Sequence, residues 1–132
     1  CVFRFQGWDI APFICYDLRF PAWLRKTMLA EQSNIPQCML IVANWPSVRI
    51  AAWDALLKAR AIENQCYVLA VNRVGNDGKG IAHNGHSQAL RFDGDYLMQP
   101  HEREGIAHVV LEKGPLEQFR AKFPFLNDAD GF

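Results

Sequence analysis

The sequence predicts an α/β fold, and three observations support that prediction. Residues 38–43 and 67–71 are apolar runs without alternation, which are typical of strands covered on both faces. Between them, apolar residues recur at three- and four-residue steps, as on one face of a helix. The length of 132 residues, half of them hydrophobic, suits one domain with a core. Strands and helices that alternate along a chain form α/β folds.

The amino-terminal residues predict a hairpin followed by a helix. Residues 1–5 alternate between apolar and polar, and residues 8–14 continue as an extended stretch after Gly7. We therefore expect the second strand to end at Cys15. A proline at the first position suits a helix over residues 21–31.

The helix between the two apolar runs is predicted to have Ser47 as its N-cap and to end near Asn64. Its expected core stripe comprises Ile50, Trp53, Leu56, Leu57 and Ala61.

The carboxyl-terminal part predicts further strands and one helix. Asp93-Gly94 separates two extended pieces, residues 87–92 and 95–98, which is a strong hairpin signal. We expect a last strand over residues 105–111 and a helix over residues 115–123 that ends before a proline. Residues 127–132 read as a peripheral tail.

Charge and apolar run length exclude two classes of partner. The chain has 14 Lys and Arg against 14 Asp and Glu, and the basic residues are scattered, which does not suit a nucleic-acid-binding protein. The longest apolar runs are far shorter than the roughly 20 residues of a membrane-spanning helix. We expect neither nucleic acid nor membrane as a partner.

The four cysteines are widely and irregularly spaced, which suits a reducing cytoplasm better than a disulfide framework. The chain begins at Cys1, not at Met, and already in a strand-like pattern. We therefore expect the amino-terminal part of the domain to be missing. His83 and His86 lie among glycines, without Cys or acidic residues at ligand-like spacing, so we expect no metal and no cofactor.

Cys15 is the candidate nucleophile. A strand that ends in Cys15 and turns into a helix places this side chain at the carboxyl edge of a sheet, where α/β proteins usually bind ligands. The positive end of a following helix favours the thiolate form of a cysteine. The backbone N–H of the next residue, Tyr16, can face a developing oxyanion. Strand-ending cysteines are also common core residues, so the geometry alone leaves both interpretations open.

Several short motifs together resemble the nitrilase (carbon-nitrogen hydrolase) superfamily. Each motif is weak by itself, but they span nearly the whole chain in the order that this superfamily has. The motifs are residues 14–21 (ICYDLRFP), 44–46 (NWP), 59–65 (ARAIENQ), 72–75 (NRVG), 85–87 (GHS) and the 93–94 hairpin.

The resemblance implies a fold and an activity. The fold would be part of a four-layer αββα sandwich without its amino-terminal strands and helices, with residues 1–132 as a single partial domain. Tyr16-Asp17 follow the nucleophile where true nitrilases have Trp-Glu, so the chain looks most like the amidase branch and its omega-amidases, which act on 2-oxoglutaramate. In this family a cysteine thiolate forms a thioester with the amide carbonyl and ammonia departs. Members commonly form homodimers or larger homo-oligomers, so we expect the same of the complete protein.

The residues near Cys15 have two interpretations each. Asp17 and Arg19 can brace the turn, and Arg19 can instead meet a substrate carboxylate. Arg60 and Glu63 share one helix face and can be solvated surface, whereas the family motif suggests that they support the site.

The loops after the two apolar runs also supply candidates for the pocket. Asn44 and Trp45 follow the first run and are pocket-lining candidates, with ordinary packing as the alternative for Trp45. The same argument applies more weakly to Asn72 and Arg73 after the second run.

Two alternatives to an omega-amidase stay open. One is another carbon-nitrogen hydrolase activity, such as hydrolysis of N-carbamoyl amino acids. The other is a non-catalytic binding or scaffold protein on the same fold. An upstream reading frame with the catalytic glutamate and lysine segments of the family would favour an enzyme, and a start codon beside Cys1 would favour a scaffold.

We predict that the 132-residue chain alone is inactive. The family uses a glutamate general base and a lysine oxyanion donor from segments before the nucleophile, and the 14 residues before Cys15 contain neither Glu nor Lys. The measurement is ammonia release from an omega-amide by the purified chain. Turnover on the order of one per second or faster, which is typical of enzymes, would contradict the prediction.

Overall fold

The computed structural model describes residues 1–29 and 35–129. Within these residues, six strands form one sheet in the order β1-β2-β3-β4-β7-β8, and β5 and β6 form a separate hairpin. The strands are β1 (Phe3–Phe5), β2 (Trp8–Ile14), β3 (Cys38–Ala43), β4 (Tyr67–Asn72), β5 (Val74–Asn76), β6 (Ala82–Asn84), β7 (Ser87–Leu90) and β8 (Tyr96–His101). The helices are α1 (Pro21–Met28), α2 (Ile50–Asn64) and α3 (Lys113–Lys122).

The centre of the sheet is parallel and its edges are antiparallel. β2 pairs with β3, and β3 with β4, in parallel, whereas β1, β7 and β8 pair antiparallel with their neighbours. Parallel strands joined by helical connections put their carboxyl ends at one edge of a sheet. The predicted α/β fold is confirmed.

Successive side chains of the central strands point to opposite faces of the sheet, and the two faces carry separate apolar clusters. One face carries Met39, Ile41 and Val68 and packs against α1 and α2, whose buried residues include Leu24 and Trp53. The predicted stripe of α2 is confirmed, since every residue in it belongs to this cluster or packs against it. The opposite face packs against α3 in a smaller cluster that contains Cys38, Tyr67, Phe92 and Leu116.

The second face of the sheet is only partly covered. Ile14, Val42 and Val71 lie opposite one another in the register of β2, β3 and β4, and their exposed fractions are 67%, 55% and 60%. Coverage of both faces was predicted for β3 and β4, and it is wrong at these positions. α3 packs against the amino-terminal ends of β3 and β4, where Cys38 and Tyr67 lie, and these three positions are at or near the opposite ends of their strands.

Several predicted boundaries need correction. The predicted strand over residues 105–111 is wrong, because no described strand lies beside it to form a ladder, and Ile106 and Val110 are exposed. Ser47 is not an N-cap, since it begins a 3-10 turn over Ser47–Arg49 and makes no capping bond. The β5–β6 hairpin was not predicted.

The helix predictions were right in position and shifted at some ends. α2 ends at Asn64 as predicted, and α3 begins two residues before the predicted position 115. α1 begins at Pro21 as predicted but ends at Met28, and positions 30 and 31 of the predicted helix lie outside the described residues. Positions 130–132 of the predicted tail also lie outside them. No helix in the described ranges is long and apolar enough to cross a membrane.

We predict that Gly94→Ala destabilises the β7–β8 hairpin, with Gly78→Ala as the control. Gly94 has φ +89°, and a Cβ there would lie 2.8 Å from the side chain of Ile62. Left-handed backbone costs a non-glycine residue about 1–2 kcal/mol, so the free energy of unfolding should fall by about that amount. Gly78 has open space around it and should tolerate alanine. Equal effects of the two substitutions in a denaturant titration would contradict this account.

Candidate active site

Cys15 lies at the carboxyl end of β2 in a strained backbone conformation. It begins a 3-10 turn over Cys15–Arg19 and has φ +39°, in the left-handed region that side chains other than glycine's rarely adopt. Such a conformation persists only where the surrounding structure holds it. One brace is local, since the N–H of Ile14 donates a hydrogen bond to Oδ2 of Asp17 at 3.0 Å. The carboxylate of Asp17 therefore caps the turn that presents Cys15.

The strand register places the predicted site residues at the same edge of the sheet, on neighbouring strands. Ile14 lies opposite Val42, and Ala43 lies opposite Asn72, so Cys15 follows β2 at the level where β3 and β4 end. Adjacent strands are about 4.8 Å apart, so the residues after the three strands meet within about 10 Å. Cys15 is half-buried and packs against the larger apolar cluster.

The side chain and the backbone of Tyr16 have different roles. Its ring is 66% exposed and contacts Phe20 edge to face at 5.1 Å between ring centroids. Its backbone N–H belongs to the first residues of a helical turn, where N–H groups have no acceptor within the turn. Such a donor next to Cys15 is suited to an oxyanion.

The turn over Cys15–Arg19, called the nucleophile turn after the predicted role of Cys15, has a second brace, which comes from α2. The guanidinium of Arg60 is buried, donating from Nη2 to the C=O of Leu18 at 2.7 Å and from Nη1 to Oε1 of Glu63 at 3.1 Å. Arg25 of α1 also donates to the C=O of Glu63, at 2.5 Å. The contacts therefore favour the supporting interpretation of Arg60 and Glu63 over a solvated surface. Removal of Glu63 would leave a buried charge without its acid partner, which is costly.

Asn72 and Trp45 lie beneath the edge of the sheet, and their side chains are almost fully buried. Oδ1 of Asn72 accepts the N–H of Trp45 at 2.6 Å, and Nδ2 donates to the C=O of Trp45 at 3.0 Å and of Gly85 at 2.7 Å. The ring of Trp45 packs against Trp53 and donates from Nε1 to the C=O of Arg49. These contacts favour packing over pocket lining for Trp45, whereas Asn72 also lines a cavity beside β4.

The remaining candidates are exposed. The guanidinium of Arg19 lies 4.6 Å from the ring centroid of Trp45, and the ion pairs of the described residues do not join Arg19 to Asp17. Asn44 follows β3 directly and is exposed. Arg73 is exposed, and its Nη2 donates to the C=O of Asn76 in the β5–β6 hairpin at 2.8 Å.

Sequence reasoning missed a polar network beside these residues. Nδ1 of His86 lies 2.9 Å from Oδ2 of Asp54, and Nε2 of Gln88 donates to Oδ1 of Asp54 at 2.8 Å. The C=O of His86 accepts the indole N–H of Trp53 at 2.9 Å. The sequence signals were His86 in the GHS motif and Asp54 beside the core stripe of α2, but nothing local connects two residues 32 positions apart. The described residues contain no cluster of three or more side chains suited to a metal ion.

A cavity of about 490 Å³ lies on the side of β4 and β7, away from the nucleophile turn. Arg73, Ser87, His101 and Arg103 are among its lining residues, and Cys15 is not. This cavity therefore includes only part of the predicted site.

Comparison with known proteins shows the class. Residues 1–120 match the family model for carbon-nitrogen hydrolases, so the chain belongs to the carbon-nitrogen hydrolase family. A solved structure with a similar fold is XC1258 of Xanthomonas campestris, a CN-hydrolase superfamily protein with an arsenic adduct in its active site. It is 41% identical with a TM-score of 0.93, covering all of this chain and 51% of that one. The nitrilase-like fold is confirmed.

Curated relatives narrow the comparison to amidases. The omega-amidase YafV of Escherichia coli K12 is 42% identical over 133 aligned positions, which cover 99% of this chain and 49% of the relative. The 2-oxoglutaramate amidase of Paenarthrobacter nicotinovorans is 40% identical over 114 positions, 86% of this chain and 37% of the relative. The chain thus spans about half the length, or less, of these relatives. The resemblance to the amidase branch is confirmed.

We predict that thiol-alkylating reagents distinguish Cys15 from Cys38 and Cys66. Burial raises the pKa of the Cys38 thiol to about 12, and burial together with the neighbouring Cys38 also raises the pKa of the Cys66 thiol. Both thiols are then protonated and unreactive at pH 8, because the thiolate is the nucleophile. Peptide mass spectrometry after brief iodoacetamide treatment should show label on the half-buried Cys15 and none on the other two until denaturant is added. Native labelling of Cys38 at the rate of Cys15 would contradict the prediction.

Proposed function

We propose that the protein containing this chain hydrolyses a linear amide, an omega-amide of a 2-oxo acid, with Cys15 as the nucleophile. The observation that carries the proposal is the strained turn at the end of β2, where Cys15 has left-handed backbone and Asp17 and Arg60 hold the residues around it. Nucleophiles are commonly presented on such turns, because the strained backbone aims the side chain out of the sheet. The omega-amidase relatives support the substrate class.

The reaction conserves atoms in two steps. The Cys15 thiolate attacks the amide carbon, and the N–H of Tyr16 donates to the oxyanion that forms. The C–N bond then breaks, the nitrogen gains a proton, and ammonia leaves a thioester. Water adds to the thioester carbon, the C–S bond breaks, and the carboxylate product leaves with the thiolate restored. By the family resemblance, a glutamate and a lysine from outside this chain would move the protons and share in binding the oxyanion.

Arg19 is the residue suited to the other end of such a substrate. A 2-oxo acid omega-amide carries a carboxylate, and an exposed guanidinium four residues after Cys15 offers two parallel N–H donors to it. The Asp17 carboxylate accepts the N–H of Ile14 and does not form an ion pair with Arg19 among the described residues. Asn44 is exposed at the same edge and completes the proposed substrate contacts.

The proposal extends to assembly and location. Tyr16, Phe20 and Trp23 are exposed aromatic residues along the nucleophile turn and α1, which suits a homodimer or larger homo-oligomer of the complete protein. The four cysteines carry free thiols, which suits the reducing cytoplasm.

The test is ammonia release by the complete protein. We expect 2-oxoglutaramate to be hydrolysed with a higher kcat/KM than an N-carbamoyl amino acid or a nitrile. Cys15→Ser should lower kcat by roughly a thousandfold or more, because removal of a covalent nucleophile removes the intermediate. Cys1→Ser, at an exposed cysteine, is the matched control and should keep full activity. Full activity of Cys15→Ser would refute the assigned nucleophile.

A further inference from the structure

We propose that Trp45 fixes the guanidinium of Arg19 and thereby determines the preference of the site for amides that carry a carboxylate. Asn72 in turn holds the backbone of Trp45 through hydrogen bonds. This inference rests on the proposed amidase function. It assigns Trp45 and Asn72 the role of positioning residues, which act on the substrate through Arg19.

The first step is the contact between Arg19 and Trp45. The guanidinium lies 4.6 Å from the centroid of the indole ring, within the range of a cation–π interaction. An exposed arginine otherwise samples many rotamers, and each must be lost when it binds a ligand. The ring limits these rotamers before substrate arrives, so the N–H donors of Arg19 are already oriented.

The second step is the fixed orientation of the indole ring. Trp45 is 3% exposed, its ring packs against Trp53 with centroids 5.6 Å apart, and its Nε1 donates to the C=O of Arg49 at 2.8 Å. Rotation of the ring would break this bond and the packing with Trp53. The ring is therefore a rigid support for Arg19.

The third step is the attachment of the Trp45 backbone to β4. Asn72 binds both the N–H and the C=O of Trp45, and its remaining amide hydrogen is donated to Gly85. All polar atoms of this side chain are thus occupied, and none of them is left to contact substrate. Asn72 instead fixes the loop after β3, at the level of Cys15, to the end of β4.

The fourth step is the availability of Arg19 for a ligand. The ion pairs among residues 1–29 and 35–129 do not include it, and its neighbour Asp17 caps the N–H of Ile14. A charged guanidinium held on an aromatic ring, with no acid partner in this part of the chain, is suited to a carboxylate ligand.

The experiment compares two amides of equal chain length in the complete protein. Succinamate carries a carboxylate, and butyramide carries a methyl group in its place. We expect Trp45→Leu to lower kcat/KM for succinamate about tenfold, mainly through KM, and to change kcat/KM for butyramide less than about twofold. Trp45→Phe keeps an aromatic ring and should retain most of the preference. Asn72→Ser removes the amide group that binds the backbone of Trp45, so it should also lower the preference for succinamate over butyramide.

Two controls separate positioning from general destabilisation. Trp8 packs on the opposite face of the sheet, and Nζ of Lys113 lies 5.3 Å from the centroid of its ring. Trp8→Leu therefore removes a similar cation–π contact elsewhere and should leave the preference for succinamate unchanged. In an Arg19→Ala background, Trp45→Leu should cause no further loss of preference, because its effect passes through Arg19.

The outcomes are distinct for the two proposals. The positioning role would be overturned if Trp45→Leu and Asn72→Ser lowered kcat/KM equally for succinamate and butyramide. It would also be overturned if the wild-type protein had no preference between the two amides. In both cases the proposed amide hydrolysis would stand. A wild-type protein that releases ammonia from neither of these amides nor from 2-oxoglutaramate would overturn the proposed function and this inference with it. Thermal unfolding of each variant identifies any that fails to fold, and the remaining variants then decide the question.

Discussion

The parallel pairing of β2, β3 and β4 is the constraint on which the candidate site depends. Because the three strands run in one direction and in register, the residues that follow them meet at a single edge. Cys15, Asn44 and Arg73 each follow one of these strands. Hydrogen bonds then lock the edge: Asn72 joins the loop after β3 to the turn before β7, and Arg60 joins α2 to the nucleophile turn. The chemistry that we propose for Cys15 therefore depends on backbone geometry that the whole sheet provides.

The strained backbone at Cys15 is held by the side chains of Asp17 and Arg60. Asp17 accepts a backbone N–H within the turn, and the buried guanidinium of Arg60 donates to a backbone C=O at its far side. A short turn with both ends held can keep a left-handed residue that would otherwise relax. The charged groups near Cys15 therefore have different roles. Those of Asp17 and Arg60 hold the backbone of the turn, and the guanidinium of Arg19 is available for a ligand.

The sequence allowed prediction of elements whose signals are local. β3 has the predicted bounds, 38–43, because its apolar run is short and flanked by polar residues. The motif around Cys15 predicted the nucleophile turn, but it contains no glycine that would have shown the left-handed backbone. Pairings between distant residues, such as Asp54 with His86, leave no local signal. Residues 105–111 are mostly apolar, as in many strands, yet a strand also needs a neighbour to pair with, and the composition of a segment does not show one.

The contacts that shape the site are long-range in sequence. The bond from Arg60 to Leu18 spans 42 positions, and those from Asn72 to Trp45 span 27. Each such contact closes a long loop, and the entropy lost on closure opposes its formation. We therefore expect the nucleophile turn to acquire its geometry late in folding, together with the docking of α2 and the closing of the β3–β4 pair. In a chain that has not formed these contacts, the backbone of Cys15 lacks the brace from Arg60 and is free to leave the left-handed conformation.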